Sequence, residues 1–245
     1  MKKILILGLL ALVMGLHAQR PDPQQILRAI DRNVLSGTSR STTRMVISGR
    51  RSSRTVTSIN YSRGSSDAFT EYTAPPRDRG TKMLKLGSNL WIFDPNTRRT
   101  VQISGNMLRQ SVMGSDLSYE DFMEESSLSS QYNASLEGEV TYEGRACWDL
   151  LLTAKNSRVA YHTKRFYVDK QRSIPLQEKW YARSGRLLKT ISASDLRQIG
   201  SRWVPFRVLF KDELKQGRGT EYIVESIEFD IRIPDSIFTR SQLSN

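Results

Sequence analysis

Apolar side chains recur at every second residue in one short run after another along this chain, and that period of two limits the fold more than any other feature. Thr57, Ile59 and Tyr61 alternate with polar neighbours, as do Val101 with Ile103, Trp148 with Leu150 and Leu152, and Val204 with Phe206, Val208 and Phe210. Near the C-terminus Ile223, Ile227, Phe229, Ile231 and Ile233 hold one face, with Glu225 the exception. Alternation of this kind puts one face of a strand against a core and the other toward solvent. Gly49, Gly64, Gly87, Gly138, Gly144, Gly185, Gly217 and Gly219 punctuate the runs as turns. The pattern predicts a mainly β chain of about 10–11 short antiparallel strands joined by hairpins. A length of 245 residues suits a single domain of this class.

Three stretches break the rhythm. Lys2 and Lys3 precede an apolar run from Ile4 to Leu16, the pattern of a signal peptide, with cleavage expected after Ala18. That run is shorter than the ~20 residues needed to span a hydrocarbon core. Gln19 and Arg20 stand where a bacterial lipoprotein would carry its cysteine, so the domain is expected to comprise residues 19–245 without a lipid anchor. Next, Asp22 and Pro23 open a helical pattern in which Ile26, Leu27, Ile30 and Val34 share a face, with Gln25 placed to close a capping box. This amphipathic helix must bury its apolar side somewhere. Finally, alternation lapses from Ser104 to Ser130, where Leu108, Met113, Leu117, Tyr119, Phe122 and Met123 lie among Ser, Gly and acidic residues. Ser118 with Asp121 forms a capping-box pattern ahead of a short helix. A loop of this length inside a sheet protein tends to be functional, as lids are.

Composition narrows the chemistry. Cys147 is the only cysteine, so no internal disulfide forms, and its apolar strand context reads as a small buried residue. His162 is the only histidine left after His17 departs with the leader, which argues against a multi-histidine metal site. No Gly-x-Ser-x-Gly elbow is present, and no catalytic residue or cofactor is expected. The formal charge of +12 falls to +10 once Lys2 and Lys3 leave. A basic exported protein meets anionic headgroups and acidic polymers; nucleic acid is not expected, since no recognition motif is present. Asp116, Glu120, Asp121, Glu124 and Glu125 read as acids favoured by a helix N-terminus, with a calcium or magnesium site as the alternative.

One segment carries a resemblance. Gly87-Ser88-Asn89-Leu90-Trp91-Ile92-Phe93-Asp94-Pro95 combines a turn glycine, a Leu-Trp pair, two more apolar residues and an Asx-Pro turn. Arg79-Gly80-Thr81-Lys82 precedes it, and Met113-Gly114-Ser115-Asp116 and Ser118-Tyr119-Glu120-Asp121 follow. From about Pro75 to Phe122 the chain resembles the outer-membrane lipoprotein-sorting family, the LolA-like periplasmic carriers, in its sorting-protein-like subgroup. The resemblance implies a strongly curved antiparallel sheet, an incomplete barrel, closed by an N-terminal helix and a helical lid over an apolar cavity. It also implies a monomeric periplasmic carrier that binds lipid or lipoprotein acyl chains, with an inner-membrane transporter and an outer-membrane acceptor as partners.

Candidate site residues follow from both readings. Ile26, Ile30, Val34, Trp91, Phe93, Met107, Met113, Leu117, Phe122 and Met123 are expected to line the cavity or lid. Large apolar side chains would hold acyl chains by area burial, at ~0.8 kcal/mol per methylene. Arg77, Arg79 and Arg109 are the expected rim contacts for headgroups, because guanidinium grips phosphate through two parallel hydrogen bonds. The alternative of another class is a non-enzymatic accessory module of an envelope lipid transporter or of anionic surfaces.

Overall fold

The computed structural model describes residues 20–33 with the backbone of residue 34, and residues 37–124, 127–157 and 159–244. The expected leader, residues 1–18, lies outside them. Helix α1 (Pro23–Val34) begins where Asp22 accepts the Gln24 amide at 2.9 Å. The strands are β1 (Thr38–Ser48), β2 (Ser53–Arg63), β3 (Asp67–Ala74), β4 (Lys82–Leu86), β5 (Asn89–Asp94), β6 (Arg99–Ile103), β7 (Tyr132–Tyr142), β8 (Arg145–Ala154), β9 (Thr163–Asp169), β10 (Pro175–Tyr181), β11 (Leu187–Ile199), β12 (Arg202–Asp212) and β13 (Gly219–Phe229). Short helices α2 (Tyr119–Met123), α3 (Leu128–Gln131) and α4 (Ser241–Ser244) complete the described elements, with 3-10 turns at Gly105–Arg109, Val112–Gly114 and Asp235–Phe238.

All thirteen strands form one antiparallel sheet in the order β6-β5-β4-β3-β2-β1-β13-β12-β11-β10-β9-β8-β7. The first and last strands pair at its centre, Ser48 opposite Gly219 and Ser39 opposite Phe229. From there each half runs outward hairpin by hairpin. The two free edges, β6 and β7, are neighbours in sequence, joined by residues 104–131. The sheet is mainly β and open, as expected, with thirteen strands rather than 10–11. Two sequence assignments change. Gly138 is inside β7, at a register shift opposite Asp149, where it relieves a bulge rather than makes a turn. Ile231 and Ile233 lie beyond the end of β13. Gly219 has its own reason: a Cβ there would sit 2.5 Å from the Phe210 carbonyl oxygen.

The two faces of the sheet are covered differently. Residues 104–131 and α1 cover one, here termed inner. The C-terminal segment covers part of the other, where Phe238 and Leu243 pack with Phe69 and Leu84. Cys147 is fully buried beside Ile174 and Leu176, and burial pushes its thiol pKa up, which suits an inert packing residue.

Candidate functional site

The linking segment is long because it crosses from one sheet edge to the other over the inner face. Its helix α2 starts at Ser118, whose hydroxyl accepts the Asp121 amide at 3.4 Å while the Asp121 carboxylate accepts the Ser118 amide at 2.7 Å. That is the capping box read from the sequence. Helix α3 is started from outside: Asp31 of α1 accepts the Leu128 amide at 2.8 Å, the Ser129 amide at 3.0 Å and the Ser129 hydroxyl at 2.5 Å. A four-residue helix cannot stand alone, so α1 fixes it in place.

Apolar packing sorts the expected lining residues. Val112 and Leu117 are buried with Met45, Ile47, Val56 and Tyr72, with Met113 and Phe122 against them. Met107, Leu108, Phe122 and Met123 pack on Met83, Leu90 and Ile103. Ile26, Leu27 and Ile30 are buried with Tyr132, Leu150, Leu152, Phe166 and Val168. Seven of the expected residues, Ile26, Ile30, Met107, Met113, Leu117, Phe122 and Met123, therefore belong to the inner face or its cover. Trp91 and Phe93 do not. Trp91 pairs with Leu84 across the hairpin, and the alternation of side chains sets both Trp91 and Phe93 with Phe238 and Leu243 on the outer face, while Leu90 and Ile92 point inward. The side chain of Val34 lies outside the described residues. Arg77, Arg79 and Arg109 are exposed; Arg77 faces Asp78 at 3.5 Å and Arg79 donates to the Thr73 carbonyl at 3.0 Å.

The cover is also held by charge. Lys164 is only 1% exposed, bonds the Glu124 carboxylate, and lies 4.0 Å from the centre of the Trp180 ring and 5.1 Å from that of Tyr132. Lys189 bonds the Asp121 carboxylate and reaches the Asp116 carbonyl at 3.0 Å. Tyr161 donates to Asp121 at 2.5 Å, and Lys85 donates to the Glu124 carbonyl at 3.2 Å. Asp116 accepts from the Thr220 hydroxyl at 2.8 Å and from the Asp212 amide at 3.0 Å. Lys215 donates to the Ser111 hydroxyl and the Ser115 carbonyl, each at 2.5 Å, and Arg54 donates to the Met113 carbonyl. A buried ion is expensive unless paired and hydrogen-bonded. Each acid of the segment from Asp116 to Glu124 except Glu120 is matched to a donor from the sheet, and Glu120 lies in the field of Arg109. Among the described residues no group of three His, Cys, Asp or Glu side chains is placed to hold a metal ion.

Beside this network Glu178 accepts the Trp180 indole N–H at 2.8 Å, and burial pushes its carboxyl up to about 7 against the pull of Lys164. A raised folded-state value means that folding takes up a proton. Its stabilising effect is full below the unfolded value of 4.5 and is lost as pH rises through about 7. Glu178→Gln should therefore flatten the fall in stability between pH 5 and 8, gaining on the order of 2 kcal/mol over wild type at the upper end. Urea unfolding at a series of pH values checks this, and an unchanged slope would contradict it.

The sequence reading missed Lys85, Lys164, Lys189 and Glu178. Their signal is a lysine at the inward parity of a strand: Lys164 precedes Phe166 and Val168, and Lys189 precedes Ile191 and Ala193. Such a lysine requires an anion over the sheet, and the acidic run Asp116–Glu124 supplies it. Two open clefts, of about 570 and 520 Å³, lie at opposite ends of the sheet, the first at residues 143–146 with Asp169 and the second at residues 49–53 with Arg218. Neither lies between cover and sheet.

Comparison with known proteins adds the following. A protein-family model described as "Uncharacterized protein" matches residues 64–245. No curated protein matches the sequence. Among solved structures, a DUF1329 family protein from Desulfovibrio piger is similar at a TM-score of 0.84 and 24% identity, covering 91% of this chain and 100% of its own. A domain named for outer membrane lipoprotein sorting, from Vibrio parahaemolyticus, is similar at 0.80 and 21% identity, covering 91% and 98%. A LolA superfamily protein from Nitrosomonas europaea is similar at 0.76 and 22% identity, covering 91% and 99%.

Proposed function

The chain belongs to the family whose model spans residues 64–245 and has the fold of the LolA superfamily, and from that premise we propose that it is a periplasmic carrier of lipid or lipoprotein acyl chains. The observation that carries the reading is the apolar inner face of an open sheet, covered by a segment that links its two free edges. Val112, Leu117, Phe122 and Met123 pack on the inner face, where an acyl chain would lie in this reading. Cargo would displace them, exchanging one apolar contact for another and adding ~0.8 kcal/mol for each further methylene buried. Met107, Met113 and Met123 suit such an exchange, because thioether chains adapt to varied apolar shapes. The ion pairs of Lys164 and Lys189 set the cost of opening, so that cargo is gained and lost where a partner bears on the cover. The step is binding and release, with no bond made or broken. Export through cleavage after Ala18, delivery from an inner-membrane transporter to an outer-membrane acceptor, and action as a monomer belong to the same proposal. Titration with a fluorescent fatty acid tests it: saturable binding is expected, tightened by Phe122→Asp, which weakens the cover that competes for the inner face.

The filled inner face favours a second reading, an accessory module that never opens. It would show no saturable fatty-acid binding.

A further inference from the structure

The two ends of the sheet differ in charge far more than the composition requires. Because neighbouring strands are antiparallel, the turns at residues 49–52, 75–81, 95–98, 155–162, 182–186 and 213–218 all lie at one end. Their described residues include ten Lys or Arg and two acids, a net of +8. The turns at 64–66, 87–88, 143–144, 170–174 and 200–201, at the other end, include two basic residues and one acid, a net of +1. In the sheet order the basic turns follow one another every two strands, so they recur about 10 Å apart along the sheet end. Arg50, Arg51, Arg98, Arg183, Arg186 and Arg218 are all exposed, and the 520 Å³ cleft lies between the turns that carry Arg50, Arg51 and Arg218. At the same end Leu214, 55% exposed, is the most exposed large apolar side chain among the described residues.

We propose that this arginine-rimmed end docks on an anionic lipid bilayer, with the arginines on lipid phosphates and Leu214 entering the interface. A row of guanidinium groups matches the headgroup plane of such a surface, and one apolar tip among them adds area burial. The cover is fastened at this end too: Arg54 holds Met113, Lys215 holds Ser111 and Ser115, and Asp116 meets Thr220 and Asp212. A bilayer at the rim therefore meets the contacts that keep the cover closed. The inference rests on the carrier reading only for the use made of docking; the docking itself is independent of cargo.

The test is sedimentation of the full chain with vesicles of phosphatidylcholine alone or with 30% phosphatidylglycerol, at low and high salt. Wild type should bind the anionic vesicles, and tenfold or more weakly in high salt. The triple variant Arg50→Ser/Arg51→Ser/Arg218→Ser should lose about tenfold in partitioning, while Arg28→Ser/Arg197→Ser/Arg207→Ser, with the same loss of charge elsewhere, should lose less than threefold. Leu214→Ser should reduce what binding persists in high salt. Absence of wild-type binding to the anionic vesicles, or equal losses in the two triple variants, would overturn the proposal. Fluorescent fatty-acid binding, read on the same variants, should be unchanged by the rim triple, so failure of docking and failure of the carrier reading give different results.

Discussion

Lys164→Met should destabilise the protein by about 3–5 kcal/mol at pH 7, because it leaves Glu124 buried without its cation and Glu178 beside it. For a chain of this size that is a fall of roughly 6–20 °C in the thermal midpoint. The loss should shrink as pH falls toward 5, where Glu178, whose carboxyl burial has raised to about 7, takes up a proton instead of remaining as an unpaired charge. Adding Glu124→Met to Lys164→Met should recover most of the stability, since an apolar pair of similar volume often equals a buried ion pair. Melting curves of wild type, both single variants and the double variant form the cycle. A loss below 1 kcal/mol for Lys164→Met would mean that the ion pair has no part in holding the cover.

The second large effect belongs to helix α1. Leu27 is fully buried, among Tyr132, Leu150, Phe166 and Val168. Truncation to alanine removes three heavy atoms from that core and leaves a cavity, at about 2–5 kcal/mol. Twelve residues are too few for a helix to persist unaided in water, so α1 depends on this contact for its structure. Its loss should also free Asp31 from the amides of Leu128 and Ser129, loosening the start of α3. Urea unfolding of Leu27→Ala should show a lower midpoint with an unchanged slope, and hydrogen exchange should report lost protection at residues 128–131. A midpoint equal to wild type would place Leu27 outside the core.

Much of this architecture was legible in the residues. Alternation at Trp148, Leu150 and Leu152 or at Val204, Phe206 and Val208 marked strands because one face is apolar throughout. The count fell short of thirteen where inward positions are polar. In β1 those positions include Thr43, which is satisfied by Ser58 at 3.0 Å and Asn60 at 2.9 Å of β2, itself legible only from its other face through Thr57, Ile59 and Tyr61. Hydroxyl and amide side chains buried in mutual hydrogen bonds erase the hydropathy signal while leaving the strand intact.

The cover was legible from its broken rhythm and from the Ser118–Asp121 box. What holds it was not. Asp121 and Glu124 read as surface acids of a short helix, because their partners, Lys189 and Lys164, are 68 and 40 residues away in sequence. Trp91 shows the opposite limit. Its alternation correctly set it on one face of a strand, but period two cannot say which face is covered by which segment, and the C-terminal residues Phe238 and Leu243 claimed it.

The central claim is that the inner face takes acyl chains in place of the cover. The most direct measurement is mass spectrometry of the lipids that travel with the protein when it is purified from its own envelope fraction, with Phe122→Asp prepared in parallel. The account predicts acylated lipid or lipoprotein in near-stoichiometric amount with the wild type and at least as much with the variant, whose cover competes less well for the inner face. Wild-type protein free of any acylated species, and equally unable to take up a fluorescent fatty acid, would contradict it.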